Sequence, residues 1–231
     1  MCGRYTLIRL NDILERFPWM ERAPDTLVPR YNVAPTQPLL AIANDHPDRF
    51  DQLTWGLVPF WAKDPSIGNK MINARAETLA EKPPFRNLLK RRRCLVIADG
   101  FYEWKPDPGG GRKGAKTPIY VRMKDGKPFA FAGLWDTWRG PDGSKMRTCT
   151  IITTAPNELM REIHDRMPVI VPPEKYQQWL DPNEREAGEL EEMLKPYPAR
   201  EMEIHPVSTL VNSPKNELPE CVEPVEKETL F

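Results

Sequence analysis

Residues 93–104 read RCLVIADGFYEW. Aliphatic, β-branched and aromatic residues fill this run, and Asp and Gly punctuate it, which is the composition of a strand. Six further runs share that character: LLAIAND (39–45), FDQLTWGLV (50–58), TPIYVRM (117–123), PFAFAGLWDTW (128–138), RTCTIITT (147–154) and MPVIV (167–171). Helix-like stretches lie between them. LNDILERF (10–17) has helical apolar spacing, and NELMREIH (157–164) opens at Asn157 directly after Pro156. ETLAEKPPFRNLLKRRR (77–93) is interrupted by Pro83 and Pro84 and reads as two short helices. EKYQQWL (174–180) and EREAGELEEMLK (184–195) complete the set. Strands outnumber helices and do not alternate with them. That order predicts an α+β fold with a curved, mostly antiparallel sheet, not a doubly wound one.

The bulk numbers restrict function. The 231 residues suit one domain, 1–231, with an extended tail from Ser213 to the end. Lys+Arg and Asp+Glu are both 33, so there is no bulk basic field, and nucleic-acid binding has to come from a local groove. Cys2, Cys94, Cys149 and Cys221 show no CxxC spacing, and His46, His164 and His205 lie far apart. A reduced, cytoplasmic setting without a metal is expected, and no apolar run is long enough to span a membrane. The loop PDPGGGRKGAK (106–116) lacks the GxxxxGK[ST] pattern of a phosphate cradle and reads as a flexible hairpin loop. KRRRC (90–94) reads as a solvated helix end before a buried strand.

Four segments hold polar residues that packing does not require. MCGRY (1–5) places Cys2 where initiator methionine is usually removed, and removal leaves an α-amine and a thiol on adjacent carbons. INARAET (72–78) puts Asn73 and Arg75 on one face if extended. ADGFYEW (98–104) sets Glu103 between Tyr102 and Trp104, and IHDRMPVIV (163–171) sets His164 and Arg166 before a strand. Each has a structural alternative. Asn73 fits a helix cap, Glu103 the solvent side of an edge strand, His164 a helix C-terminus, and the arginines structural ion pairs. Together they compose a catalytic set: an aminothiol, a carboxyl acid–base, an imidazole, an amide and guanidinium groups.

The motifs MCGRY, YNVAPTQ (31–37), WGLVPFWAKD (55–64), INARAET, CLVIADGFYEWK (94–105), IHDRMPVIV and HPVSTLVNSPKN (205–216) run in one order along almost the whole chain. In this they resemble the SRAP family, the SOS response-associated peptidases, also described as abasic-site processing proteins. The resemblance implies the SRAP fold, an α+β unit with a barrel-like sheet and short flanking helices. It implies that Met1 is lost, by self-processing or by an aminopeptidase, and that Cys2 reacts with an abasic site in single-stranded DNA. The amine forms a Schiff base with the ring-opened sugar aldehyde, and the thiol closes a thiazolidine crosslink. Peptidase and lyase-like activities follow from the same chemistry. An α-amine with a reference pKa of about 7.7–8.0 suits imine formation at neutral pH far better than lysine does.

By the same resemblance Glu103 is the general acid–base, His164 assists ring opening or holds sugar and phosphate, and Asn73 orients Cys2. Arg4, Arg75 and Arg166 are expected on phosphates, with Arg86 further along the strand. Phe60, Trp61 and Trp104 are expected to stack on or wedge between bases, and Thr153 to contact the DNA backbone. No cofactor is implied. Expected partners are DNA with abasic sites and replication-fork proteins, and the protein is expected as a monomer, associated with the nucleoid when bound. Two other classes share some features. An N-terminal-nucleophile glutamine amidotransferase also begins Met-Cys-Gly, but its Asn-Gly and Gly-Asp dipeptides are missing. A non-catalytic single-strand binding module would leave Cys2 and Glu103 without a task.

Overall fold

The computed structural model describes residues 2–107 and 116–225. In chain order its strands are β1 (Tyr5–Leu7), β2 (Arg30–Val33), β3 (Pro38–Ala43), β4 (Asp51–Trp55), β5 (Asn73–Arg75), β6 (Arg93–Ala98), β7 (Gly100–Pro106), β8 (Lys116–Met123), β9 (Phe129–Arg139), β10 (Lys145–Thr154), β11 (Met167–Pro168), β12 (Ile170–Val171) and β13 (Met202–Pro206). The α-helices are short: α1 (Ile13–Arg16), α2 (Pro83–Arg91), α3 (Glu158–Arg161), α4 (Tyr176–Trp179) and α5 (Ala187–Leu190). The larger sheet runs β10–β4–β3–β6–β9, and β9 pairs back onto β10, which closes a five-stranded barrel. All of these pairings are antiparallel except β4 with β10. The smaller sheet has the order β13–β8–β7–β1–β2. The α+β class with a barrel-like, mostly antiparallel sheet is therefore the fold of this chain.

The run 93–104 is two strands. β6 belongs to the barrel, β7 to the smaller sheet, and the chain changes sheets at Asp99-Gly100. Asp99 fixes the corner. Its Oδ1 accepts from Thr6 Oγ1 at 2.5 Å, and its Oδ2 accepts from the backbone N–H groups of Ile8 and Arg9. Burial holds its carboxyl above the usual carboxylate range. Gly100 is required because a Cβ there would sit 2.1 Å from the Tyr120 hydroxyl. The two sheets then pack through aromatic rings. Tyr5 lies 5.6 Å from Trp55 and 6.0 Å from Phe131, and Phe101 lies 5.9 Å from Phe131.

Proline places the helices. Pro83 and Pro84 separate two short helices as expected, a 3-10 turn at Ala76–Thr78 and α2, which they open because their missing N–H groups fall in its first turn. Pro18 disfavours helical backbone at Phe17, so α1 ends one residue earlier. Asn157 caps α3 as expected, its side chain accepting from Met160 N–H at 2.9 Å. Residues 108–115, the centre of the expected glycine-rich loop, lie outside the described residues. Their flanks pair as a hairpin, Pro106 opposite Lys116. The tail residues 213–225 lie against β2 and β13. Val225 N–H donates to Pro206 O at 3.0 Å, and Cys221 is buried beside Tyr102 and Tyr120. The remainder of the expected tail, 226–231, lies outside the described residues.

KRRRC departs from the solvated helix end expected of it. Arg91 is exposed and paired with Glu184, but Arg93 is fully buried. Among the described residues the Arg93 guanidinium donates to backbone carbonyls alone: Trp179, Leu89, Lys90, Asp181 and Asn183. Leu89, Lys90 and Trp179 stand in the last turns of α2 and α4, and Asp181 and Asn183 in the loop beyond α4, so one cation ties both helix ends to that loop. Burial pushes its pKa down to about 10. Arg93→Lys keeps the charge but brings three donors to this set of carbonyls. It should lower unfolding free energy by about 2–3 kcal/mol. Urea denaturation reads this directly, and a loss below about 1 kcal/mol would show that the carbonyls find other donors.

Candidate functional site

β1 brings the chain start to Glu103. Tyr5 pairs with Phe101 and Thr6 with Gly100, and Tyr102 N–H donates to Arg4 O at 3.0 Å. Continued toward the terminus, this ladder sets Gly3 and Cys2 beside Glu103 and Trp104. Cys2 is fully buried. Burial pushes its thiol pKa up, and the Glu103 carboxylate pushes it further. Asn73 fixes the same residue from the barrel side, its Nδ2 donating to Cys2 O at 2.8 Å. β5 holds Asn73 there by parallel pairing with β10, Asn73 opposite Ile151. Asn73 Oδ1 is buried with no hydrogen-bond donor among the described residues. Asn73 is thus a ligand of the chain start and not a helix cap.

Glu103 lies on β7, the central strand of the smaller sheet, and is only 2% exposed. This excludes the solvent side of an edge strand. Burial pushes its carboxyl up to about 7, with Asp165 adding in the same direction. A carboxyl at that value is partly protonated at neutral pH and can both accept and deliver a proton.

His164 follows α3 and faces an open groove of about 590 Å³ lined in part by Trp104, Lys116, Arg161 and Asp165. Its Nδ1 accepts from Arg166 N–H at 3.1 Å, and Asp165 Oδ1 lies 2.7 Å from the same nitrogen. Burial lowers the imidazole pKa, and the neighbouring Asp165 carboxylate opposes that shift. The Asp165 side chain is 86% exposed, so water screens its opposing pull.

The other expected residues fall into three groups. Phe60 and Trp61 are 68% and 54% exposed, a pair of large apolar side chains on one surface loop. That loop is pinned on both sides of the pair. Phe60 N–H donates to Asp136 Oδ2 at 2.8 Å, and Trp138 Nε1 donates to Ala62 O at 2.7 Å. Arg75 and Arg86 are also exposed, Arg75 at the end of β5 beside Asn73 and Arg86 on α2. Arg4 and Arg166 are held by the protein. Arg166 pairs with both carboxylate oxygens of Glu77 at 2.9 Å and donates to Thr153 O. Arg4 Nη1 donates to Asn32 Oδ1 and Val211 O, both at 2.8 Å, and its guanidinium lies 5.9 Å from the Trp104 ring. Thr153 differs from expectation. It is fully buried at the barrel end of β10, where its Oγ1 faces Ala74 O and the Arg166 guanidinium. It offers no surface of its own.

Sequence reasoning did not single out Asn32, Asn212, Glu217 or Lys116. The first three stand in or next to YNVAPTQ and HPVSTLVNSPKN, motifs whose polar residues received no task. Among the described residues no three His, Cys, Asp or Glu side chains gather to hold a metal ion, and no helix is long and apolar enough to cross a membrane.

A closed five-stranded barrel with an added sheet, whose first strand delivers a penultimate cysteine to a buried glutamate, defines the class. The chain belongs to the SOS response associated peptidase (SRAP) family, whose profile matches residues 1–214. It is 51% identical over 227 residues to the abasic site processing protein YoqW of Bacillus subtilis (strain 168), covering 96% of this chain and 99% of that one. It is 37% identical over 198 residues to the abasic site processing protein HMCES of Gallus gallus, covering 75% of this chain and 57% of that one. A crystal structure of a protein from Bacteroides thetaiotaomicron superposes with a TM-score of 0.84 at 28% identity, over 97% of this chain and all of that one.

Proposed function

We propose that this protein recognises abasic sites in single-stranded DNA and bonds to them covalently through Cys2 once Met1 has been removed. The observation that carries this reading is the convergence of Asn73 and Glu103 on the buried Cys2. The named relatives support the substrate class. The ring-opened sugar presents an aldehyde, and the Cys2 α-amine adds to it. The carbinolamine loses water to give an imine, with protonated Glu103 delivering a proton to the departing hydroxyl. The thiol then adds to the imine carbon: the S–C bond forms, the C=N π pair moves to nitrogen, and the thiol proton follows it. His164 lines the groove, where an imidazole N–H suits a sugar or phosphate oxygen. Asn73 Oδ1 offers an acceptor suited to the amine N–H groups. The protein acts as a monomeric single domain in the cytoplasm, on the nucleoid or at replication forks. Removal of Met1 by the same groups accounts for a peptidase activity.

The direct test is a denaturing gel. Protein with a free Cys2 terminus should stay on an oligonucleotide containing one abasic site after boiling in detergent, and should leave an intact oligonucleotide. Complete release from both would end the covalent reading. Strand binding has its own test. Phe60 and Trp61 are the exposed aromatic pair, so Trp61→Ala should weaken single-strand binding by about 1–3 kcal/mol if it stacks on a base. Affinity should also fall as salt rises. Equal affinities of wild type and Trp61→Ala in a fluorescence anisotropy titration at fixed salt would remove the stacking role.

A further inference from the structure

We infer that residues 211–217 form a positioning clip for the DNA-facing groups, with Asn32 and Glu217 as its anchors and Asn212 as its contact to Trp104. Asn32 is fully buried on β2 and reads this segment in detail. Its Nδ2 donates to the carbonyls of Val211, Ser213 and Asn216 at 3.2, 2.9 and 2.9 Å. Glu217 fastens the far end. Its Oε1 accepts from Arg30 Nε and Nη2 at 2.9 and 2.7 Å, and its Oε2 accepts from the N–H groups of Tyr31 and Asn32 at 2.8 and 3.1 Å. One carboxylate thus caps the open edge of β2 and neutralises Arg30. Glu217 lies beyond the residues 1–214 that the family profile matches.

The clip ends on two groups of the candidate site. Val211 O and Asn32 Oδ1 both accept from Arg4 Nη1, and Asn212 Oδ1 accepts from Trp104 Nε1 at 2.7 Å. Arg4 is two residues from Cys2, and Trp104 follows Glu103. Without these acceptors Arg4 would have to find new partners at a half-buried position, and the Trp104 ring would turn freely on the groove wall. Fixing both sets the angle at which a strand meets Cys2. Displacements of about 1 Å in such positioning groups lower rates by as much as about 10²-fold. Asn32, Asn212 and Glu217 therefore act through Arg4 and Trp104 and touch no DNA themselves.

This inference rests on the strand-binding and crosslinking reading above, and its test separates the two. Asn212 is exposed, so Asn212→Ala removes the acceptor with little effect on folding, whereas Asn212→Asp keeps it. Two quantities are measured on protein with a free Cys2: affinity for an undamaged single strand, and crosslinking rate at saturating abasic strand. Asn212→Ala and Glu217→Gln should each lose about five- to tenfold in one or both, the size expected for losing one or two hydrogen bonds. Asn212→Asp should restore the crosslinking rate at saturating strand, where the weaker affinity caused by its added negative charge no longer enters, and the Asn212 variants should melt with wild type. A purely structural segment would show lower melting temperatures with both DNA quantities unchanged, which overturns the inference. So does Asn212→Asp failing to rescue the rate at saturating strand. If wild type binds the strand but does not crosslink, the covalent reading fails, and affinity alone still judges the clip. If wild type binds no strand, both fall.

Discussion

Protein that retains Met1 should form no heat-stable product with DNA containing an abasic site, and protein with Cys2 at its terminus should form it. The difference is all or none, because with Met1 present the Cys2 nitrogen is an amide, and the Met1 amine can form only an imine, with no 1,2-placed thiol to close the ring. Two side-chain variants divide the steps. Cys2→Ala keeps a terminal amine after methionine removal, since alanine is also small. It should give an adduct that borohydride traps but heat destroys. Cys2→Ser should behave alike, because a hydroxyl is a poorer nucleophile than a thiol at neutral pH. Burial holds the Cys2 thiol above its ordinary value, so thiolate is scarce before the imine forms. Thiol addition therefore depends on a nearby base, and the buried carboxylate of Glu103 stands in that position. Intact mass of the protein, read alongside the gel, settles which terminus is present. A heat-stable product from methionine-bearing protein would move the nucleophile to an internal lysine or cysteine and defeat this account.

Glu103→Gln should slow crosslinking by about 10²–10⁴-fold while leaving strand affinity equal or slightly higher. Gln keeps shape and hydrogen bonding but moves no proton, and it removes a negative charge from the neighbourhood of phosphate. With the carboxyl at about 7, the wild-type rate should bend near neutral pH, and that bend should vanish in the variant. Stability supplies a second readout with a definite sign. The folded value lies above the ordinary 4.5, so below 4.5 the carboxyl is protonated in both states and carries no penalty. As pH rises from 4.5 to 7 the unfolded chain ionises first, and stability falls until the folded value is passed. Between pH 5 and pH 8 Glu103→Gln should gain about 2–3 kcal/mol on wild type in urea unfolding. A stability difference that does not change with pH would place the carboxyl at its ordinary value, and an unchanged rate would remove it from the chemistry.

The strand-rich α+β class was legible in the order of residues alone, because composition and punctuation act within a few residues. The sequence also showed which groups are on offer: once Met1 is removed, residue 2 carries an amine and a thiol on adjacent carbons, and Glu103, His164, Asn73 and the arginines stand in ordered motifs. Local pattern says nothing about which strand lies next to which, and there the tertiary structure decided. The run 93–104 reads as one strand, yet the contacts of Thr6 and Tyr120, some ninety residues away on one side and twenty on the other, turn it at Asp99-Gly100 and divide it between two sheets. That division makes β7 a central strand, which buries Glu103 and raises its pKa; an edge strand would have left it ordinary. Pairing of β10 with β5 and β11 on either side encloses Thr153, and backbone carbonyls at and beyond two helix ends draw Arg93 into the interior. The task of Asn32, Asn212 and Glu217 became visible only when residues 211–217 were laid against β2 and Trp104. Burial, pairing and the pKa values that follow from them are sums over contacts from distant parts of the chain, and no window of sequence contains those sums.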